Sequence, residues 1–146
     1  MLLSLSINNQ HGSLIYHKNI SEKSRLTSNE EIRIASTFHG LSTIAKRLCI
    51  VSDEKHKATL DQQSGITQIE GNHFSLYCLE TLTGLSIFLV TLPSAFPSGI
   101  IDNILSSVYQ GYADYVQKNP FHEPDMPIRL DLFDKFIQGI IQRYTY

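Results

Sequence analysis

The sequence predicts an α+β domain in which helices cover both faces of a five-stranded antiparallel sheet, with the element order ββαβββαα. Two short apolar segments precede a helix-like repeat, three more follow it, and two further helix-like repeats complete the sequence. With 146 residues, 42% hydrophobic and 18% charged, the chain has the size and balance of one globular domain. We therefore expect a single domain over residues 1–146.

The first two strands are predicted to form a hairpin. Residues 2–7 alternate apolar side chains with Ser4 and Ser6, and residues 13–17 follow a turn whose Asn and Gly residues tolerate positive φ. The apolar start lacks the basic residues that begin a signal peptide, so we interpret it as a strand.

The first helix is predicted to begin at Ser28. Residues 28–31 (SNEE) match a capping box in which Ser28 is the N-cap and Glu31 the third helical residue. Apolar residues then recur at spacings of three and four, which predicts a stripe that packs on the sheet. The stripe consists of Ile34, Phe38, Leu41, Ala45 and Leu48. Residues 52–64 are polar and are expected to form a surface loop.

Three strands are predicted after this loop, at residues 66–69, 73–80 and 85–92. The connections at residues 70–72 and 81–84 are short enough for antiparallel hairpins. The last of these strands is nearly continuous in apolar side chains, which favours a central strand covered on both faces.

Two amphipathic helices are predicted next, separated by a proline-rich segment at residues 119–127 that cannot continue a helix. We expect Tyr112 and Tyr115 to lie in the core and Tyr109 at its rim. The stripe of the second helix is Ile101, Ile104, Leu105, Val108, Tyr112, Tyr115 and Val116, and that of the last helix is Phe133, Phe136, Ile137, Ile140, Ile141 and Tyr144.

Charge and hydropathy exclude several classes of partner. The formal net charge is -2, and the only basic clusters are Lys46 with Arg47 and residues 55–57. These are too few cations for a nucleic-acid stripe or a polybasic membrane patch. The longest apolar stretch, residues 85–92, is too short to cross a bilayer. We expect no nucleic-acid partner, and membrane contact only through other proteins.

The sequence contains no recognisable catalytic or cofactor motif. Glycine-rich phosphate-binding motifs and the Gly-x-Ser-x-Gly nucleophile motif are absent, and the six histidines lack metal-binding spacing. Cys49 and Cys78 are interpreted as reduced core thiols of a cytosolic protein. An acidic group near the last loop is more typical of a helix N-terminus than of an acid–base pair. Its members are Glu123, Asp125, Asp131 and Asp134. We expect no enzyme activity from the chain alone, no cofactor and no metal.

Several segments, taken together and in order, resemble the synbindin-type small subunit of TRAPP, the transport protein particle, which is a tethering complex of membrane traffic. They are residues 12–16 (GSLIY), 26–30 (LTSNE), 35–41 (ASTFHGL), 80–85 (ETLTGL), 114–116 (DYV), 118–121 (KNPF), 126–129 (MPIR) and 132–134 (LFD). This order runs through nearly the whole chain.

The resemblance implies a longin-like (SNARE-like) fold and assembly with other small TRAPP subunits, both longin-like and Bet-type. It implies a cytoplasmic complex, peripheral at ER and cis-Golgi membranes, that acts in ER-to-Golgi transport and exchanges GDP for GTP on a Rab GTPase of the early secretory pathway. Because binding is reciprocal, a complex that prefers the empty GTPase weakens its affinity for nucleotide, and no covalent chemistry is required. Many relatives carry a long insertion beside the first helix, whereas both connections are short here.

Two surfaces are candidate partner sites. The outer face of the first helix is bland and small, which permits close approach of another subunit, and the alternative is a solvated face. This face consists of Ile32, Ser36, His39, Gly40 and Thr43. The loop at residues 119–129 is stiffened by prolines, so it loses little entropy on meeting a partner or the Rab. The alternative is a fixed connector between helices. The loop residues concerned are Asn119, Pro120, Phe121, Glu123, Asp125, Met126 and Arg129.

A different class of function is the alternative to a TRAPP subunit. A longin-like domain is also expected in an adaptor or regulatory module of another trafficking complex, such as a coat small chain or a SNARE-type domain. A SNARE needs a heptad segment and a membrane anchor after the domain, and the sequence ends at Tyr146 instead. We therefore prefer the TRAPP interpretation.

Overall fold

A computed structural model describes residues 2–21, 27–52, 68–81, 83–93, 96–123 and 126–145. The elements are strands β1 (Leu2–Asn8) and β2 (Leu14–Asn19), helix α1 (Ser28–Ser52), strands β3 (Gln68–Glu70), β4 (Ser75–Glu80) and β5 (Ser86–Thr91), and helices α2 (Ser98–Tyr112) and α3 (Asp131–Thr145). A π-helical turn, Ala113–Gln117, extends α2. The strands form one sheet in the order β2-β1-β5-β4-β3, and all neighbours are antiparallel. The predicted α+β fold and element order are confirmed.

The two faces of the sheet carry cores of different size. On one face, α2 and α3 cover β1, β2 and β5 with a large apolar cluster that includes Leu5, Ile7 and Leu89. On the other face, α1 contributes Ala35 and Phe38 to a small cluster that also holds Leu76 and Phe88. The central position predicted for the last strand is confirmed, since alternate β5 side chains enter the two clusters.

The N-terminal hairpin turn is built from one Asn and one Gly. The Asn9 side-chain oxygen accepts hydrogen bonds from the backbone amides of His11 at 3.0 Å and Ser13 at 2.9 Å. Gly12 adopts a φ of +84°, a region that favours glycine. A Cβ at Gly12 would lie 2.4 Å from Cγ of His39. The turn therefore depends on glycine twice, for its backbone angle and for its contact with α1.

The N-terminal cap of α1 differs from the prediction by one residue. The Glu30 amide donates to Oγ1 of Thr27 at 3.4 Å, and the Glu30 carboxylate accepts from the Thr27 amide at 2.9 Å. This is the reciprocal pattern of a capping box, so the predicted Ser28/Glu31 pair is wrong. Glu31 instead reaches β2, where it accepts a hydrogen bond from the Asn19 side chain at 3.3 Å.

The predicted stripe of α1 packs on the sheet only in part. Phe38 is 3% exposed and stacks on Phe88 at a ring-centroid distance of 5.1 Å. Ile34 and Leu41, however, are 39% and 46% exposed. Their predicted burial is wrong because α1 contacts the sheet along the edge that carries Ala35 and Phe38, and Ile34 and Leu41 lie to one side of that contact. The side chain of Leu48 lies outside the described residues.

Smaller differences affect the strands and α2. The fourth strand begins at Ser75 and not at residue 73, so it is shorter than predicted. The described part of the third strand is Gln68–Glu70, and the predicted residues 66 and 67 lie outside the described residues. Tyr115 was predicted to lie in the core but is 38% exposed, whereas Val116 is fully buried. The cause is the π-helical turn, whose wider winding keeps Val116 inward and turns Tyr115 outward onto Phe136, with ring centroids 5.4 Å apart.

Candidate functional site

The predicted subunit face of α1 is largely open to solvent. Ile32 is 54% exposed, and Ser36 and Thr43 are exposed as well. Gly40 has no atom within 4 Å of the point where a Cβ would stand, so the helix surface there is free of neighbours within the described part of the chain. His39 differs from the other four because it is half-buried against the hairpin turn. The face is therefore accessible at four of its five positions.

In the described part of the candidate loop between α2 and α3, hydrogen bonds lie near both ends and several side chains are exposed. The Asn119 side-chain oxygen accepts a hydrogen bond from the Phe121 amide at 3.1 Å. The Ile128 amide donates to the Ile15 carbonyl of β2 at 2.8 Å, and Ile128 is buried. Phe121 is 89% exposed and Met126 is 45% exposed. Pro120, Glu123 and Arg129 are also exposed, and Asp125 lies outside the described residues.

An apolar trough of about 570 Å³ runs beside α1 across the sheet. We call it the α1 trough. Ile34 and Leu41 of α1 form one wall, and Phe74, which precedes β4 and is 43% exposed, forms the other. Leu76 and Val90 contribute to the floor. Leu3, Phe38, Ile69 and Phe88 complete the apolar lining.

The β2 end of the α1 trough is polar and carries a carboxylate. The His17 ring places Nε2 3.0 Å from the Asn19 side-chain oxygen and 3.2 Å from a Glu31 oxygen. Because Nε2 faces two acceptors, we assign a hydrogen to it, and the other ring nitrogen, Nδ1, lies within hydrogen-bonding distance of Oγ of Ser6, at 2.7 Å. Ser6 lies inside β1 and is 3% exposed, so its hydroxyl is not presented as a nucleophile. The contacts of His17 with Ser6 and Glu31 join the hairpin to α1.

Two titratable side chains outside the trough have structural roles. Burial, and then the hydrogen bond from its hydroxyl to Asp134 at 2.8 Å, raise the pKa of Tyr16 above its ordinary value. Burial, and then the nearby carboxylate of Glu80, raise the pKa of the Cys78 thiol to about 12. The Cys78 thiol therefore stays protonated at neutral pH, which does not suit a nucleophile.

Within the described residues, no three His, Cys, Asp or Glu side chains gather in a way that would hold a metal ion. Among the same residues, no helix is long and apolar enough to cross a membrane.

The α1 trough was missed by the sequence analysis. Its exposed wall belongs to a stripe that local periodicity assigned to the core. A signal was present in β1, whose Ser4, Ser6 and Asn8 alternate with Leu5 and Ile7. This alternation predicts a polar sheet face at β1, and a helix that packs there has few apolar partners for its own stripe.

The chain matches the Sybindin-like family over residues 2–144. It is 40% identical over 131 residues to "Trafficking protein particle complex subunit 4" of Dictyostelium discoideum, an alignment that covers 90% of this chain and 89% of that protein. Proteins of the same name from Bos taurus and Homo sapiens are 40% identical over 111 residues, which is 76% of this chain and 45% of theirs. The chain thus spans about half the length of the bovine and human relatives.

Solved structures support the fold at low sequence identity. A Roadblock/LC7 domain from Streptomyces avermitilis superposes with a TM-score of 0.58 at 11% identity, covering 78% of this chain and 84% of that one. Myxococcus xanthus MglB gives a TM-score of 0.53 at 13% identity, covering 72% and 75%. These similarities concern the fold alone, and they confirm the predicted longin-like architecture.

Proposed function

The chain belongs to the Sybindin-like family, and from that premise we propose that it is a core scaffold subunit of a trafficking protein particle complex. One observation carries the proposal. At 40% identity, a protein named for subunit 4 of that complex aligns with nine-tenths of this chain and with nearly as much of its own length. The proposed complex tethers vesicles in ER-to-Golgi transport and lies at ER and cis-Golgi membranes through its assembled subunits, both longin-like and Bet-type.

The proposed role in nucleotide exchange belongs to the assembled complex and not to the chain alone. A complex that binds the nucleotide-free Rab GTPase more tightly than the loaded one must lower the affinity of the GTPase for nucleotide by the same factor. Surfaces that contact the GTPase are sufficient for this coupling. The neutral thiol of Cys78 and the buried hydroxyl of Ser6 are consistent with a scaffold that contributes surfaces rather than reactive groups.

We propose a single domain over residues 1–146 that lacks the long insertion of many relatives. The family match over residues 2–144 supports this organisation. The bovine and human relatives have more than half of their length outside the aligned region. Activities that reside in that additional length are not assigned to this chain.

The exposed face of α1 is the proposed contact with a neighbouring subunit. Serine and glycine at Ser36 and Gly40 allow a partner to approach the helix closely, and Gly40 has free space beside it in the described structure. For the same reason, Gly40→Arg is accommodated by the chain on its own. A loss of assembly in this variant therefore reports a lost interface and not a lost fold.

Co-purification of the complex with Ser36→Arg or Gly40→Arg tests this contact. We expect the variants to fold with an unchanged circular dichroism spectrum and to recover less of the other subunits. Gly139→Arg is the matched control, because Gly139 is an exposed helical glycine with free space on α3. Full recovery of the subunits with both α1 variants would contradict the assignment of this face.

The loop at residues 119–129 is the proposed contact with the Rab or a second subunit. The hydrogen bond from Ile128 to β2, the local bond between Phe121 and Asn119, and the exposed Phe121 suit a surface that binds with little ordering cost. Exchange assays on reassembled complex with Phe121→Ala, Asp125→Lys or Arg129→Glu test the proposal. We expect slower nucleotide release with assembly unchanged if the loop touches the GTPase. Normal assembly together with normal exchange would leave the loop as a connector.

A further inference from the structure

We propose that two copies of this chain associate through the pocket that lies between the two hairpin turns and the end of α2, with Phe121 of each copy inserted into the pocket of the other. We call this pocket the turn pocket. The contact is isologous, because one patch supplies both the inserted side chain and the pocket that receives it. The inference goes beyond the scaffold function proposed above and does not rest on it, since it concerns the free chain.

The turn pocket has a volume of about 380 Å³ and an apolar floor. The floor consists of Ile15 of β2, Leu85 before β5, Tyr112 at the end of α2 and Val116 of the π-helical turn. All four side chains are buried members of the large apolar cluster, so the core holds the floor in place. Ligand pockets begin at about 300 Å³, so this one has room for a single aromatic side chain.

The two hairpin turns form the mouth of the turn pocket. Gln10 of the first turn packs against Gly84 of the β4–β5 turn, where an added Cβ would lie 2.9 Å from Cβ of Gln10. Gly84 has a φ of +88°, a region that favours glycine. Thr83 of the same turn places Oγ1 2.9 Å from Oγ1 of Thr81. Because these contacts form the mouth before any partner arrives, an inserted side chain binds at little ordering cost.

Phe121 protrudes beside the turn pocket. It is 89% exposed, which is the largest exposed fraction among the large apolar side chains of the described residues. The next residue, His122, lines the pocket, so the ring and the pocket lie side by side. The Phe121 amide donates to the Asn119 side-chain oxygen at 3.1 Å, which holds the backbone at this position. A two-fold axis between a protruding ring and an adjacent pocket exchanges both rings at once.

Charge around Phe121 is self-complementary as well. Lys118 precedes the ring and Glu123 follows it, and both side chains are exposed. A two-fold contact can therefore place Lys118 of one copy beside Glu123 of the other, twice in each dimer. Lys118 also lies 3.2 Å from Asp114, but this pair is exposed and contributes little, so it leaves Lys118 available. The described lining of the pocket contains no Asp, Glu, Lys or Arg, which suits a neutral aromatic ring.

The size of the contact predicts a weak dimer. Each inserted ring buries about 150–250 Å², so the two rings and their surroundings fall below the about 1,200 Å² of stable complexes. We expect a dissociation constant of about 0.1 mM. Because Phe121 also belongs to the loop proposed to contact a Rab or a subunit, the two contacts exclude each other. Free chains cover Phe121, and assembly of the complex releases it.

Sedimentation equilibrium of the full-length chain between about 10 and 500 µM tests the proposal. We expect a reversible monomer and dimer equilibrium. Phe121→Ala should leave the chain monomeric over this range, a loss of at least about 100-fold, because both insertions are removed. Leu132→Ala is the matched control, since Leu132 is 65% exposed but does not line the pocket, and it should change dimerisation by less than about twofold.

Reciprocal insertion is tested by mixing two variants that are each monomeric. Gln117→Trp fills the turn pocket from its own exposed rim and keeps Phe121, whereas Phe121→Ala keeps an open pocket. A mixed pair retains one of the two insertions. Fluorescein-labelled Phe121→Ala should therefore sediment partly as a dimer in about 1 mM unlabelled Gln117→Trp and as a monomer in excess unlabelled Phe121→Ala. Circular dichroism verifies the fold of each variant.

The charges are tested at low ionic strength, where exposed pairs are least screened. Lys118→Glu and Glu123→Lys should each weaken dimerisation about fivefold, because each places like charges together twice in the dimer. The double variant reverses both charges and should return to within about twofold of the unmodified chain. Both Lys118→Glu and the double variant lose the Asp114 pair, so the recovery reports the contact between copies.

Five results would overturn the proposal. A chain that stays monomeric at about 500 µM has no contact of this kind. A dimer that survives Phe121→Ala, or one that is abolished by Gly40→Arg, uses another face. Absence of the mixed dimer would exclude reciprocal insertion. A monomer in which N-acetylphenylalanine amide shifts the Leu85 and Val116 amide NMR signals would assign the turn pocket to an aromatic side chain of a different protein.

Discussion

Replacing Gly111 by alanine should destabilise the protein even though alanine is the better helix former. A Cβ at Gly111 would stand 2.0 Å from Cε1 and 2.4 Å from Cδ1 of Phe136 on α3. The substitution gains about 1 kcal/mol of helix propensity, but overpacking costs about 1–3 kcal/mol. Moving the Phe136 ring also disturbs its contact with Tyr115, worth about 1 kcal/mol. We expect a net loss of about 1–3 kcal/mol.

Urea unfolding followed by circular dichroism measures this loss, which corresponds to a fall in melting temperature of about 3 °C per kcal/mol. Gly139→Ala is the control, because Gly139 lies within α3 with no atom within 4 Å of a Cβ, and it should gain about 0.5–1 kcal/mol. In a Phe136→Ala background the clash is removed, so Gly111→Ala should stabilise the protein by about 0.5–1 kcal/mol, as Gly139→Ala does. If Gly111→Ala stabilises the unmodified protein as much as Gly139→Ala does, the helices separate at little cost and the reasoning is refuted.

Three other predictions concern the cap of α1 and the two perturbed side chains. Thr27→Ala should lower the free energy of unfolding by about 1 kcal/mol and Ser28→Ala by less than about 0.5 kcal/mol; the reverse order would restore Ser28 as the N-cap. Because the pKa of Tyr16 is raised in the folded state, its stabilising contribution is complete below the unfolded pKa of about 10 and is lost as pH rises above it. Tyr16→Phe should flatten this decline in urea titrations between about pH 8 and 11, and an unchanged decline would show that the phenol is accessible. In a Cys49→Ser background at about pH 8, iodoacetamide should alkylate Cys78 at least about 100-fold more slowly in the native protein than in urea, and equal rates would contradict its burial.

The sequence predicts well those elements whose burial follows from their own periodicity. The stripe of α3 is an example, since Phe133, Ile137 and Ile140 are buried where the spacing of three and four places them. The central position of β5 follows in the same way from its continuous apolar residues, because only a strand covered on both faces needs them.

The errors arise where the outcome depends on a neighbour distant in the sequence. Thr27 and Ser28 both carry a hydroxyl suited to an N-cap, so the local sequence does not distinguish them. The Glu31 carboxylate contacts Asn19 and His17 of β2 and does not close a capping box. Tyr115 obeys the α-helical period, but the π-helical turn shifts the winding before it. Neither interaction is visible in a local pattern of apolar residues.

The candidate surfaces show the same division. Small residues at Ser36 and Gly40 identify an open helix face from sequence alone, and the described structure leaves that face exposed. The position of His39 over the hairpin turn depends on the glycine at Gly12, many residues earlier. The α1 trough depends on the polar face of β1, so it requires the packing of α1 to be known.

The two faces of the sheet carry apolar clusters of unequal size. On the α2 and α3 face, Leu5 and Ile7 are almost completely buried, so substitutions there should unfold the protein. On the α1 face, β1 presents Ser6 and Asn8, and the Asn8 side-chain amide donates to the Ala35 carbonyl at 3.1 Å. This hydrogen bond and the ion pair between Lys46 and Glu80 fix the position of α1 without covering its apolar edge.

Polar contacts thus hold α1 in place while Ile34 and Leu41 on its edge stay exposed, and this separates two classes of substitution. Changes at Ile34 or Leu41 remove exposed side chains and little core, so they should leave the free energy of unfolding nearly constant. Phe38→Ala, in contrast, should lower the free energy of unfolding by about 3 kcal/mol, because it removes the stacked pair with Phe88. A Leu41→Asp variant as unstable as Phe38→Ala would mean that the edge is part of the core, and the division between the two faces of the sheet would fail.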